Sequence, residues 1–312
     1  MKILVYGAGV LGSYLAHSLI NAGNEVTMLA RGSRYQELVH NSLVIRHKVQ
    51  MKTTKDKVKV IQQLKAEDIY DIIFVVMQYT QLKEVLPILA ANQSRLFVLV
   101  GNNASPASMK DAVCGDGTDK TVLFGFQATG GRREYGKVIS IHAGVRMPVG
   151  TLNGEDFTPQ QKLLAQAFEG TKYKMTFRKD MEAYLISHIA FIMPIAYICY
   201  ATNGNLKKVD KAMLNQIIEA TAEGYEVLRA VGIPIAPAED EEYISNKRNS
   251  YYRLLWICAK TFIGRLAASD HAMHAVGEIT ALSDAFDQLK NQAAIPTPVW
   301  DSLEKHLLKM KV

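Results

Sequence analysis

The first residues in the chain able to do chemistry are glycines. Gly7-Ala8-Gly9-Val10-Leu11-Gly12 has G-x-G-x-x-G spacing, between an apolar run at 2–6 and a helical pattern at 10–22. In that setting Gly7 permits a tight turn, Gly9 lets a pyrophosphate approach bare backbone, and Gly12 lets the helix lie close to the strand. The helix N-terminus adds free N–H donors and a positive dipole end. A purely structural turn is the alternative, and the strand-before, helix-after context favours nucleotide binding. A second strand at 25–29 runs into Ala30-Arg31-Gly32-Ser33-Arg34, with no acid to accept ribose hydroxyls. Arg31, supported by Ser33 and Arg34, suits a 2′-phosphate and so selects NADP; a solvated basic loop is the other reading. Gln78, Gln81 and Asn102 stand at the ends of apolar runs, where ligands collect in an open parallel sheet. Asn102 and Asn103 also suit a turn.

These groups need elements to hold them. Continuous apolar runs at 71–77 and 96–100 predict central parallel strands, and the alternating 43–61 stretch predicts a half-exposed strand. Short strands follow at 122–126, 138–142, 146–149 and 173–177, with a helix near 159–168; Gly130, Gly131, Gly136, Gly144 and Gly150 punctuate them. Past Met181 the strand signals stop. Helical periodicity runs through 181–202, 209–231, 239–263, 277–291 and 299–310. The expectation is an α/β chain: a Rossmann-type doubly wound sheet at 1–178 that binds NADP, and an all-α domain at 179–312 for substrate and dimerisation. At 312 residues there is room for both.

Composition narrows the classes. A net charge of +6 without a dense basic block suits anionic small molecules and gives no sign of nucleic-acid binding. Cys114, Cys199 and Cys258 are scattered, odd in number and without metal spacing, which points to a reducing cytosol and a cytoplasmic protein. The apolar stretch at 184–201 approaches membrane length, but Ser187, His188 and Pro194 interrupt it and favour a buried helix. Met1-Lys2 runs directly into the first strand, so no leader segment is expected.

With these residues assembled, the chain resembles the ketopantoate reductase (2-dehydropantoate 2-reductase) family over essentially its whole length. The resemblance rests on residues 7–16 (GAGVLGSYLA), Arg31 and the Asn102 turn. It extends through residues 130–144 (GGRREYGKVISIHAG), Val149-Gly150, residues 230–233 (AVGI), Glu278-Ile279 and residues 295–298 (IPTP). It implies reduction of a small 2-oxo acid by NADPH: a hydride goes to the carbonyl carbon while a positioned acid protonates the developing alkoxide. Asn102 matches the family's positioning asparagine and Glu278 its substrate-binding glutamate. Two lysines of the family are replaced, by Gln78 after the strand at 71–77 and by Leu185 on the first long helix; Ile189 and Met193 occupy positions where asparagines are usual.

A replacement donor must share the helical face of Leu185. His188, three residues on, does so and can give a proton near neutrality; a histidine satisfied inside an apolar helix is the other reading. His271 and His274 form a second polar pair able to bind substrate or cap a helix, with too few ligands for a metal. The expected site is thus His188, Glu278 and Asn102 for catalysis, with Gly7, Ala8, Gly9, Val10, Leu11, Gly12, Arg31, Gln78 and Asn102 on the cofactor. Two other functions stay open: a nucleotide sensor that has lost the chemistry, and reduction of a different ketone or an imine. A homodimer fits the helical domain.

Overall fold

A computed structural model describes residues 1–115, 119–142 and 145–310; Ala143 and Gly144 of the glycine-punctuated run lie outside them. The chain divides into two compact units, Met1–Gly101 with Ser105–Glu182, and Asn102–Ala104 with Ala183–Val312.

The first unit carries twelve strands among its described residues: β1 Lys2–Tyr6, β2 Glu25–Leu29, β3 Leu43–His47, β4 Lys52–Asp56, β5 Lys59–Ile61, β6 Ile72–Val76, β7 Leu96–Val100, β8 Thr121–Gly125, β9 Gly130–Glu134, β10 Lys137–Ile141, β11 Arg146–Gly150 and β12 Lys174–Arg178. The main sheet runs β12-β11-β8-β7-β6-β1-β2-β5. From β5 to β8 every pair is parallel; β11 turns antiparallel to β8, and β12 joins β11 in parallel. The strands β6 (IIFVV) and β7 (LFVLV) are buried at every residue, as strands covered on both faces must be. Chain order reverses at β1, which pairs with β2 on one side and β6 on the other. Such a switch opens a crevice at the strands' carboxyl ends, where the glycine turn lies.

The 43–61 stretch, expected as a single strand, is three. A hairpin of β3 and β4 turns at Met51, whose φ is +54°, and β5 returns to the edge of the main sheet. The hairpin belongs to a second sheet, β4-β3-β10-β9. Strand β9 (GGRRE) has no strand pattern of its own. It forms because Tyr135 and Gly136, at φ +48° and +75°, make a turn with the twist of a tight hairpin and fold it onto β10. Helix α1 (Val10–Asn21) packs on β1 and β2 and also on β3, β9 and β10. Helices α2 (Gly32–Asn41), α3 (Tyr79–Ala91), α4 (Pro106–Cys114) and α5 (Thr158–Ala167) complete the unit.

The second unit is helical. It contains α6 (Met181–Ala201) from Ala183 on, α7 (Lys211–Ala230), α8 (Arg248–Lys260), α9 (Phe262–Gly264), a π turn at Arg265–Ser269, α10 (Asp270–His274), α11 (Val276–Ala293) and α12 (Pro298–Leu308). Periodicity at 239–263 suggested one helix. The chain instead makes a 3₁₀ stretch at Ala238–Tyr243 and turns at 244–247 through i→i+3 bonds before α8 starts. Helix α6 has the length and apolarity of a membrane span, and 67% of its most apolar window is buried inside the fold. Its Tyr197 meets the Trp300 ring edge-on at 5.8 Å and hydrogen-bonds Ser283 at 2.9 Å. A Cβ on Gly224 of α7 would come within 2.8 Å of Trp300 and 3.2 Å of Ala190. The division falls after Glu182, not at the expected 178/179. Met181 N–H donates to Thr151 O, and Asn153 donates to the Glu182 carboxylate, so the first turn of α6 stays with the sheet.

Candidate functional site

The turn after β1 is made by what its glycines lack. Gly7 has φ +117°, and a Cβ there would lie 2.1 Å from Val76 O. A Cβ on Gly12 would lie 2.0 Å from Gly7 O, so helix and turn touch backbone to backbone. Gly9 is different: among the described residues nothing lies within 4 Å of where its Cβ would stand. Its exposed position caps α1 without any side-chain hydrogen bond, and the first turn carries no acid. Unspent N–H donors, a positive dipole end and open space thus coincide, which is what a phosphate requires.

Arg34 does not support a phosphate, as the sequence reading had it. Its guanidinium is 4% exposed and spends its donors inward, on Ala8 O at 3.0 Å, Ser13 Oγ at 3.1 Å and the Glu37 carboxylate at 3.0 Å. It clamps the glycine turn from behind. Arg31, Gly32 and Ser33 stay exposed at the start of α2, which also lacks a side-chain cap and a first-turn acid.

At the strand ends, Gln78 is half-buried and precedes α3 without a capping bond, and Gln81 is exposed. Gln127, just beyond β8, escaped the sequence reading. It is 2% exposed and donates to Leu11 O at 3.3 Å and to Thr129 Oγ1 at 2.8 Å, while its Oε1 has no partner among the described residues. The signal was there to use, a carboxamide at the end of a parallel strand, the same feature that marks Asn102. Asn102, buried in the other unit, also carries an unpartnered Oδ1. Burying a carbonyl without a donor costs about 1–3 kcal/mol, so each oxygen is a ready acceptor.

In the helical unit Leu185, Ile189 and Met193 are core residues, at 1%, 2% and 0% exposure. His188 is half-buried, its ring between those of Tyr184 and Phe191 with centroids 6.4 Å away on each side. Burial pushes its pKa down to about 4. Burial thus favours the neutral ring, which bears against the expected role of His188 as proton donor. Glu278 is 2% exposed in the first turn of α11, and its Oε2 lies 3.1 Å from His271 Nε2. His274 turns back on its own helix, its Nδ1 2.6 Å from Asp270 O. Among the described residues no three His, Cys, Asp or Glu side chains are grouped to hold a metal.

A histidine cluster in the first unit also went unread. His17 meets Asp56 at 2.7 Å, His47 meets His142 at 3.0 Å and Thr54 at 2.8 Å, and His142 meets Tyr14 at 3.1 Å. Burial, together with the nearby His17 and Lys52 charges, lowers the pKa of both His47 and His142, the former to about 4. The cluster ties α1 to the second sheet. Its three histidines are 30 or more positions apart, so no histidine spacing reveals it.

Residues 3–154 match the family described as ketopantoate reductase PanE/ApbA. Solved structures extend the likeness to the whole chain. A 2-dehydropantoate 2-reductase from Geobacter metallireducens GS-15 is 16% identical, with 99% of this chain and 100% of that one covered and a TM-score of 0.73. A PanE/ApbA family ketopantoate reductase from Ralstonia eutropha JMP134 is 14% identical, covering 99% and 98%, with a TM-score of 0.73. A D-mandelate dehydrogenase in a ternary structure with NADH and anilino(oxo)acetate is 16% identical, covering 99% and 98%, with a TM-score of 0.70. No curated protein matches the chain by sequence.

Proposed function

Because the chain belongs to the ketopantoate reductase family, we propose that it is an NADPH-dependent reductase of a small 2-oxo acid, in the simplest case 2-dehydropantoate. The observation that carries this reading is the turn itself: open space over Gly9, an uncapped helix end, and the unpartnered Gln127 oxygen on a side chain bonded to Leu11. The residues fit a dinucleotide. In this reading the backbone from Gly7 to Gly12 takes the pyrophosphate, Arg31 with the α2 N-terminus takes a 2′-phosphate, and Gln78 lies toward the nicotinamide. A bound reduced nicotinamide supplies the hydride. Asn102 Oδ1 accepts an N–H or O–H from cofactor or substrate, Glu278 accepts a substrate hydroxyl, and His188 lines the substrate space as a neutral ring.

The first unit then serves the cofactor and the helical unit serves substrate and dimerisation. Exposed Leu254, Trp256, Ile257 and Phe262 on and after α8 support a second copy as partner. The proposed location is the cytoplasm. Leu185, buried where the family has a lysine, favours a second reading: a sensor that binds NADPH without reducing anything. Loss of reduced-nicotinamide absorbance across a panel of 2-oxo acids separates the two. Turnover supports the reductase. Tight NADPH binding with no turnover of any member would favour the sensor.

A further inference from the structure

A phosphate at the glycine turn needs N–H groups that point toward it, and a peptide group can face either way. The Ala8–Gly9 peptide is trans, so its carbonyl and its N–H point in opposite directions. Ala8 is buried and Gly9 is exposed. The Ala8 carbonyl takes two hydrogen bonds from inside the unit: Arg34 Nε donates to it at 3.0 Å, and Ser13 Oγ at 3.4 Å. Arg34 Nη2 in turn donates to Ser13 Oγ at 3.1 Å, which closes a ring of bonds behind the turn. Arg34 Nη1 is held by the Glu37 carboxylate at 3.0 Å, three residues along α2.

With the carbonyl held inward, the Gly9 N–H is turned outward. It meets no acceptor among the described residues, and nothing among them lies within 4 Å of where a Gly9 Cβ would stand. The reverse orientation would set a carbonyl oxygen against a phosphate and repel it. Gly9 is extended, and glycine reaches many other conformations at little cost, so the partners of the Ala8 carbonyl select this one.

Resting on the dinucleotide reading above, we propose that Arg34 is a positioning residue for the cofactor, locking the Ala8–Gly9 peptide so that the Gly9 N–H faces the pyrophosphate. Arg34 touches no phosphate itself, because it is 4% exposed and its guanidinium is turned inward onto Ala8, Ser13 and Glu37. The Glu37 carboxylate balances its charge, so what Arg34 adds is orientation. The pyrophosphate is common to NADPH and NADH. Arg31, in the reading above, serves the 2′-phosphate that NADH lacks. The two arginines, three positions apart, therefore have separable effects.

The test is calorimetric titration of the full-length protein with NADPH, NADH and adenosine 2′-monophosphate, a fragment without a pyrophosphate. Arg34→Met keeps an unbranched side chain and removes its donors. It should weaken NADPH and NADH by the same factor, about one to two decades, the worth of a hydrogen bond to a charged group, and leave the fragment unchanged. In protein carrying isotope-labelled glycine, the Gly9 amide proton should move downfield on adding NADPH to wild type and stay in place in Arg34→Met. A loss confined to NADPH would make Arg34 a 2′-phosphate ligand and overturn the proposal. Dinucleotide affinities within a factor of about three of wild type would overturn it as well. So would a loss that extends to the fragment, since that marks a general disturbance of the unit. Should Arg34→Met not fold, Ser13→Ala decides in its place: it removes the second bond to Ala8 O and should cost both dinucleotides several-fold, and unchanged affinity there overturns the proposal. Wild-type protein that binds neither dinucleotide would remove the cofactor reading and this role together, whereas each other failing outcome removes this role alone.

Discussion

In the first unit the proposed ligand-facing surface is made of backbone, and in the second the candidate residues are side chains. Gly7, Gly9 and Gly12 work by leaving room, and their spacing along the chain is already the geometry of the turn. In the second unit Glu278 of α11 and His271 of α10 come within 3.1 Å of each other through their side chains alone. Backbone sites tolerate no substitution where atoms touch, and full substitution where they do not. Side-chain sites can change residue by residue while the backbone that carries them stays the same.

The largest effect should come from breaking the first half of this comparison. Gly12→Val places carbon 2.0 Å from Gly7 O and should leave little folded protein. A Cβ at Gly9 meets nothing within 4 Å among the described residues, so Gly9→Val should fold with a near-normal melting temperature, yet lose NADPH by more than about two decades in affinity. Calorimetry on the Gly9 variant decides it. Normal binding there would make the turn structural only.

The histidine cluster sharpens the same contrast, because it is a side-chain device placed in the backbone-built unit. His47 has its pKa lowered from 6.5 to about 4, so the fold prefers its neutral form. The stability this contributes is fully present above pH 6.5 and is lost as pH falls toward 4, because the unfolded chain binds the proton first. About 3 kcal/mol is at stake for His47, with a further loss in the same direction from His142. Urea unfolding followed by far-UV circular dichroism should show a midpoint that drops steeply between those pH values, and less steeply in His47→Gln. Equal pH slopes in both proteins would remove His47 from the account.

How much of this was legible follows the same division. The sheet strands β6 and β7 announce themselves as unbroken apolar runs, and the glycine turn as a spacing. Strand β9 could not be read, because GGRRE becomes a strand only through pairing with β10. Arg34 was misread as a phosphate ligand: its type suits an anion, but its place one turn into α2 aims it at Ala8 O and Ser13. The sequence places His188 on a helical face and cannot show its burial, which favours the neutral ring.

Arg31 is the side chain that the backbone site still needs. Exposed at the start of α2, it is free to meet a 2′-phosphate. Arg31→Ala should weaken NADPH by roughly 1.5–3 kcal/mol, one to two decades, and leave NADH nearly unchanged. Titration of wild type with both cofactors comes first; equal affinities would end the NADP assignment.

The smallest effect is expected at His188, and it tests the second half of the comparison. The ring lies between Tyr184 and Phe191 and its pKa is pushed to about 4, so near neutrality it acts as an aromatic surface. His188→Phe preserves that surface and removes only the titrating nitrogen atoms. At pH 7 kcat should therefore change by less than a factor of about three, far below the two to four decades that a positioned general acid contributes. The acid side should improve: with a neutral-preferring histidine gone, the variant gives up less stability than wild type as pH falls from 6.5 toward 4. A fall in kcat of two decades or more at unchanged NADPH affinity would return the proton to His188.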